Sequence, residues 1–193
     1  LIDKSLIAIS PLTFQINHDE CEWVFFSSSN SVESFFSQEK PENWASKKFG
    51  TAGDATANTL GKYVTKIDFI GSESDMSIVS HKFKELVGSK KVLFPISARS
   101  LKSIQASLAS NQVLNVECYS SKPIHIQLTE SQAYIFTSPS NVEAYLEGNT
   151  SFPESAKLIS IGNSTAKKLK EHGFSSLIAE IPHESELWAL LAS

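Results

Sequence analysis

Residues 25–36 read FFSSSNSVESFF, and residues 135–146 read IFTSPSNVEAYL. At an offset of 110 they share Phe26/Phe136, Ser28/Ser138, Val32/Val142 and Glu33/Glu143. Working outward, Gly53-Asp54-Ala55-Thr56-Ala57 faces Gly162-Asn163-Ser164-Thr165-Ala166 at an offset of 109, and Leu6–Ser10 faces Val116–Ser120 at 110. Three matches in register make two similar halves.

Each half repeats one grammar: a short apolar run, then Ser, Thr, Gly or Asn, then a helical pattern. WVFF (23–26) leads into SSSNSVESFF, and AYIF (133–136) into TSPSNVEAYL. Lys66–Ile70 leads to Met76, Val79, Phe83, Leu86 and Val87, spaced as one helical face. Lys90–Pro95 leads to a pattern predicting a helix over 98–110, with Leu101, Ile104 and Leu108 on its buried face. Short strands alternating with helices of about ten residues predict βαβ units, right-handed crossovers and parallel sheets. The expected fold is α/β: two flavodoxin-like, doubly wound lobes. In the 110-residue register, the counterparts of 90–110 fall before Leu1. A strand and a helix of the first repeat are therefore expected upstream, in line with a chain that opens on Leu rather than Met.

Composition narrows the function classes. The chain has 193 residues, 41% of them hydrophobic and 20% charged, which is ordinary for a globular protein. No apolar run approaches the roughly 20 residues of a membrane span. A net charge of −4 argues against a broad nucleic-acid surface. Cys21 and Cys118 fit no C-x-x-C pattern, which points to a reducing, cytoplasmic setting rather than a disulfide scaffold or a zinc site. Arg99 is the only arginine, so a clamp of several guanidinium forks is excluded.

In open parallel sheets ligands sit beyond the carboxyl ends of the strands. The loops expected there are 27–30, 53–56, 97–99, 137–140 and 162–165, which offer Ser28, Thr56, Ser97, Arg99, Ser138, Ser164 and Thr165. Hydroxyls beside helix N-termini suit anions, and the same residues also serve as plain helix caps. Five such loops in two similar lobes favour a shared cleft for an anionic small molecule. No phosphate-cradling glycine motif, no nucleophile set and no metal-ligand spacing occurs; His18, His81, His125, His172 and His183 are scattered. Tyr119 ends an apolar run before Ser120-Ser121-Lys122-Pro123, where turn formers are expected to break the strand and leave its hydroxyl at a cleft mouth. From the residues alone, the reading is a two-lobed binder of an anion.

FTSPSNVEAYL (136–146), ISIGNSTAKKLKEHGF (159–174), AGDATANTL (52–60), VLFP (92–95) and NVECYS (115–120) together resemble the uroporphyrinogen-III synthases. The resemblance implies two lobes joined by a two-stranded link. One lobe is 1–10 with 124–193, the other 15–116, and the links are 11–14 and 117–123. It implies cyclisation of hydroxymethylbilane with inversion of the last pyrrole ring, without cofactor or metal, by a cytoplasmic monomer. By position, Tyr119 matches the tyrosine that helps protonate the leaving hydroxyl. Thr56 and Thr165 match the hydroxyls of the G-N-x-T-A loops, and Ser138 the serine of the S-P-S loop. Two residues depart from the pattern: Ser29 where proline is common, and Asp54 where asparagine is. The competing reading is a non-catalytic binding module for a small polyanion, which would tolerate loss of Tyr119.

Overall fold

A computed structural model describes residues 6–72, 75–100, 102–124, 126, 128–179 and 189–191. Leu101, His125 and His183 lie outside these residues. The chain divides into two compact units, Leu1–Ala8 with Lys122–Ser193, and Ile9–Ser121.

The second unit is built on β1 (Ile7–Pro11), β2 (Trp23–Phe26), β3 (Lys48–Thr51), β4 (Phe69–Ile70), β5 (Val92–Ser97) and β6 (Val113–Pro123). These form one sheet in the order β1-β6-β5-β2-β3-β4, and β2 through β6 run parallel. β1 and β6 are also the stretches through which the chain passes from one unit to the other.

β2 is the central strand, and its four side chains are all buried. Val24 and Phe26 point to a core shared with Val32, Phe35 and Phe36 of α1 (Ser29–Phe36) and Leu60 of α2 (Asp54–Leu60). Trp23 and Phe25 point to the opposite core, with Val79, Phe83 and Val87 of α3 (Met76–Val87). A strand covered on both faces must be apolar at every position, which is why WVFF reads as a continuous run. Gly50 is required by this packing: a Cβ there would lie 2.8 Å from Phe25 Cδ2.

Counted from β2, the parallel strands are ordered 3-2-1-4-5. Flavodoxin-like winding would be 2-1-3-4-5, so that part of the expectation is corrected. Alternating strand and helix patterns establish a parallel sheet. They carry no information on which edge the third strand joins.

The first unit contains β7 (Ala133–Phe136), β8 (Lys157–Ser160) and β9 (Leu177–Ile178), all parallel, with α4 (Pro139–Gly148) and α5 (Asn163–Glu171) between them. Val142, Ala144 and Tyr145 of α4 pack with Leu169 of α5 against Tyr134, Phe136 and Leu158. The repeat is carried into the backbone. β7 begins 110 residues after β2, and β8 begins 109 after β3. Ser28 and Ser138 both cap their helices, each accepting the N–H three residues on.

Two local expectations fail. No α-helix forms over 98–110 among the described residues, only single 3-10 turns at Gln105–Ser107 and Ser110–Gln112. Ile104 and Leu108 are nonetheless buried as expected. Serines divert the backbone. Ser97 Oγ accepts from Arg99 N–H, Ser100 Oγ accepts from Lys102 N–H, and Lys102 adopts a left-handed φ of 54°. The strand also does not break at Tyr119, because β6 continues to Pro123. Its continuation is paired with β1, and the pairing is flanked by the Leu12 N–H donating to the Cys118 carbonyl and the Ile124 N–H donating to the Leu6 carbonyl.

Candidate functional site

Doubly wound sheets open a crevice at the carboxyl ends of the strands on either side of the point where the winding reverses. In the second unit that point lies between β2 and β5, neighbours in the sheet with β3 and β4 between them in sequence. The loops after β2 and β5 carry Ser28 on one side and Ser97 with Arg99 on the other.

Tyr119 reaches this point through an irregularity in β6. Ile96 pairs with Glu117 but Ser97 pairs with Tyr119, so Cys118 is an extra residue in the ladder. Bulges of this kind re-aim the side chain that follows. Here the Tyr119 Oη lies 3.1 Å from Ser28 Oγ. The bulge is held from within, since the buried Cys118 thiol lies 3.7 Å from the Ile96 carbonyl oxygen and 3.8 Å from that of Ser31. Burial pushes that thiol up to about 12, so it stays protonated at neutral pH.

Tyr119 is 8% exposed. Burial raises its phenol above the ordinary value, the hydrogen bond from Ser28 pulls the other way, and Cys118 adds to the rise. The phenol is therefore protonated throughout the neutral range and has a proton to give. Ser28 Oγ already accepts from Ser31 N–H at 3.2 Å, so its own proton is free for the tyrosine oxygen.

Thr56 enters from the next loop. The cap of α2 is Gly53, which has no side chain to offer, and Asp54 is an exposed first-turn residue rather than the cap. Thr56 sits two residues further on and is 6% exposed. Its repeat partner Thr165 is 2% exposed in the first turn of α5, after the corresponding Gly162 cap. Neither threonine is therefore a capping residue. In the same unit as Thr165, Ser164 is exposed and Ser138 is the α4 cap, with Asn141 Nδ2 donating to the adjacent Thr137 Oγ1 at 2.8 Å.

The structure thus brings Tyr119, Ser28 and Ser97 together in one unit, with Arg99 exposed beside them. Ser97 and Arg99 do not stand at an α-helix N-terminus, contrary to expectation, so no helix dipole supports that loop. Sequence reasoning missed a second layer. Ser29 Oγ donates to the Ala55 carbonyl at 3.2 Å, and Thr59 Oγ1 lies 3.0 Å from Ser29 Oγ. The sole trace of that layer in the sequence is the mismatch of Ser29 with Pro139 inside the repeat.

Among the described residues no cluster of His, Cys, Asp and Glu is arranged to hold a metal ion, and no helix is long and apolar enough to cross a membrane. Among solved structures, a uroporphyrinogen-III synthetase from Helicobacter pylori is 24% identical, with a TM-score of 0.77 over 97% of this chain and 90% of that one. A mutant uroporphyrinogen III synthase from Thermus thermophilus is 13% identical, with a TM-score of 0.60 over 97% of this chain and 84% of that one. These likenesses establish a shared fold. No curated protein matches the chain. The family model described as uroporphyrinogen-III synthase HemD matches residues 2–189, nearly the whole sequence. The chain therefore belongs to the uroporphyrinogen-III synthase family, the cyclising lyases of haem biosynthesis.

Proposed function

We propose that Tyr119 is the proton donor for ring closure of hydroxymethylbilane, and that Ser28 holds it and stabilises the phenolate it becomes. The Ser28–Tyr119 contact at the winding reversal is the observation that carries this reading. The difficult step is cleavage of the C–O bond to the terminal hydroxyl. The pyrrole nitrogen pushes electrons toward that carbon, the bonding pair leaves with oxygen, and the Tyr119 proton converts hydroxide into water. The azafulvene so formed closes through a spiro intermediate, which inverts the last ring. The phenolate left behind is an acceptor 3.1 Å from Ser28, whose hydroxyl hydrogen-bonds to it until the proton released as the closed ring regains aromaticity restores the phenol. Because internal push assists departure, a weak acid of raised pKa suffices.

The substrate's eight carboxylates fit a site made of hydroxyls and N–H groups rather than of guanidinium forks. Ser28, Ser97, Arg99 and Thr56 would supply these donors in one unit, and Ser138, Ser164 and Thr165 in the other. We take the lobes as 1–10 with 124–193 and 15–116, and the protein as a cytoplasmic monomer.

Incubating the protein with hydroxymethylbilane, oxidising, and resolving the uroporphyrin isomers tests the reading. The expected product is type III, formed faster than spontaneous closure. Type I alone at the uncatalysed rate would overturn it.

A further inference from the structure

The two halves hold their first two helices together by different means, and the difference falls beside the proposed acid. In both, the cap serine is extended: Ser28 at φ −155°, ψ 154° and Ser138 at φ −159°, ψ 157°. The next residue opens the helix, and here the halves diverge. α4 begins with Pro139, whose ring fixes φ and holds the entry of the chain. α1 begins with Ser29, which has no such constraint.

Ser29 is instead tied sideways to α2. Its hydroxyl donates to the Ala55 carbonyl, and Thr59 Oγ1 lies within reach of both Ser29 Oγ (3.0 Å) and the Ala55 carbonyl (3.1 Å). The proton count closes if Ser29 gives its proton to Ala55 and receives that of Thr59. Thr59 is buried, so the link is partly shielded from water at that end, while Ala55 is exposed at the other. Its repeat counterpart is Lys168, which bonds elsewhere: Nζ lies 3.0 Å from Glu143 and 2.9 Å from Glu171. In that half the tie between α4 and α5 lies along the helices, away from the cap, and proline does the local holding.

We infer that the Ser29–Thr59–Ala55 link is a positioning device for the proposed reaction: it fixes Ser28, and through it the Tyr119 hydroxyl, relative to the turn that carries Thr56. Ser29 and Thr59 touch no reacting atom in this scheme and act through Ser28. The inference rests on the role proposed for Tyr119.

The repeat supplies its own control. Ser28 already has the extended backbone that a following proline demands, and the first helical N–H needs no intrahelical partner. Ser29→Pro should therefore restore by ring constraint what the hydroxyl supplies by bonding, and Thr59 would keep the Ala55 carbonyl as its acceptor. Ser29→Ala and Thr59→Val should each lower kcat about threefold to tenfold with KM nearly unchanged, and raise the share of type I product. Ser29→Pro should keep wild-type kcat and isomer ratio.

A second readout does not depend on turnover. With carbon-13 at the tyrosine Cζ, the Tyr119 resonance, assigned by its loss in Tyr119→Phe, should move in Ser29→Ala as it does in Ser28→Ala, and stay in place in Ser29→Pro. Melting temperatures identify any variant that fails to fold. An unmoved Tyr119 resonance in folded Ser29→Ala overturns the inference, whatever the wild type makes. A wild type that makes no type III product overturns the proposed function, and the resonance shifts then judge the positioning on their own.

Discussion

The hydroxyls of Ser28 and Tyr119 lie 3.1 Å apart across 91 residues of chain, at the point where the winding of the sheet reverses. Their meeting depends on three separate features: the N-cap of α1, the adjacency of β2 and β5, and the extra residue in β6. The side chains at the cap and in the bulged strand can be changed without altering the strand order, so the contact is open to test from both ends.

Tyr119→Phe keeps the buried ring and removes the proton. General-acid catalysis is worth about 10²–10⁴-fold, and internal push from the pyrrole places this case at the lower end. The expected kcat is about tenfold to a thousandfold down, with KM and melting temperature little changed. Bilane released unreacted closes by itself, so the type I fraction should rise. Wild-type kcat with pure type III product would remove Tyr119 from the chemistry.

Ser28→Ala removes two things, a helix cap and the tyrosine's partner. Ser138→Ala removes a cap of the same geometry, so its loss of stability measures the cap alone. Each should lose about 1 kcal/mol of stability from the cap. Only Ser28→Ala should lower kcat strongly. Equal kinetic losses in the two variants would mean that the serines act as caps or binding groups alike, and that Ser28 does nothing special for Tyr119.

Thr56 and Thr165 do not cap their helices, so a loss on removing their hydroxyls reads ligand contact. Thr56→Val and Thr165→Val should each cost about 0.5–1.5 kcal/mol in kcat/KM. Arg99→Ala should cost about 1–3 kcal/mol in binding if the guanidinium meets a carboxylate. Because Arg99 is exposed, that cost should shrink as salt is raised. A loss from Arg99→Ala that salt leaves unchanged would show a role other than charge.

Much of this was legible from residue identity. Ser28/Ser138 and Gly53/Gly162 recur because a cap and a tight entry are local requirements, met by the same residues wherever they arise. The helix expected over 98–110 failed because apolar spacing reports burial of Ile104 and Leu108, whereas side-chain competition from Ser97 and Ser100 decides the backbone. The strand order, the bulge at Cys118 and the Ser29–Thr59 link are tertiary. They join residues whose local sequences contain no reference to one another, so no window of sequence displays them.

Asp68 gives a prediction about acid sensitivity. Its carboxylate accepts the Phe49 N–H at 3.1 Å and pairs with Lys66, while its own N–H donates to the Phe49 carbonyl at 2.8 Å. It therefore braces the segment leading into β4 against β3. Burial pushes this carboxyl up, but the Lys66 and Phe49 hydrogen bonds outweigh that effect and hold it below the ordinary range. A carboxyl depressed in the folded state stabilises the fold above its unfolded value, near about 4, and loses that contribution as pH falls through the folded value. Asp68→Asn keeps the shape and removes the charge. At pH 7 it should lower stability by about 1 kcal/mol, the charge-assisted part of the bonds. As pH falls through the folded value and the wild-type carboxyl also becomes neutral, the gap should close. Asp75 and Glu171, also depressed, titrate alike in both proteins and drop out of the difference. Urea midpoints measured from pH 7 downward test it, and equal midpoints at pH 7 would show that Asp68 braces β4 by shape alone.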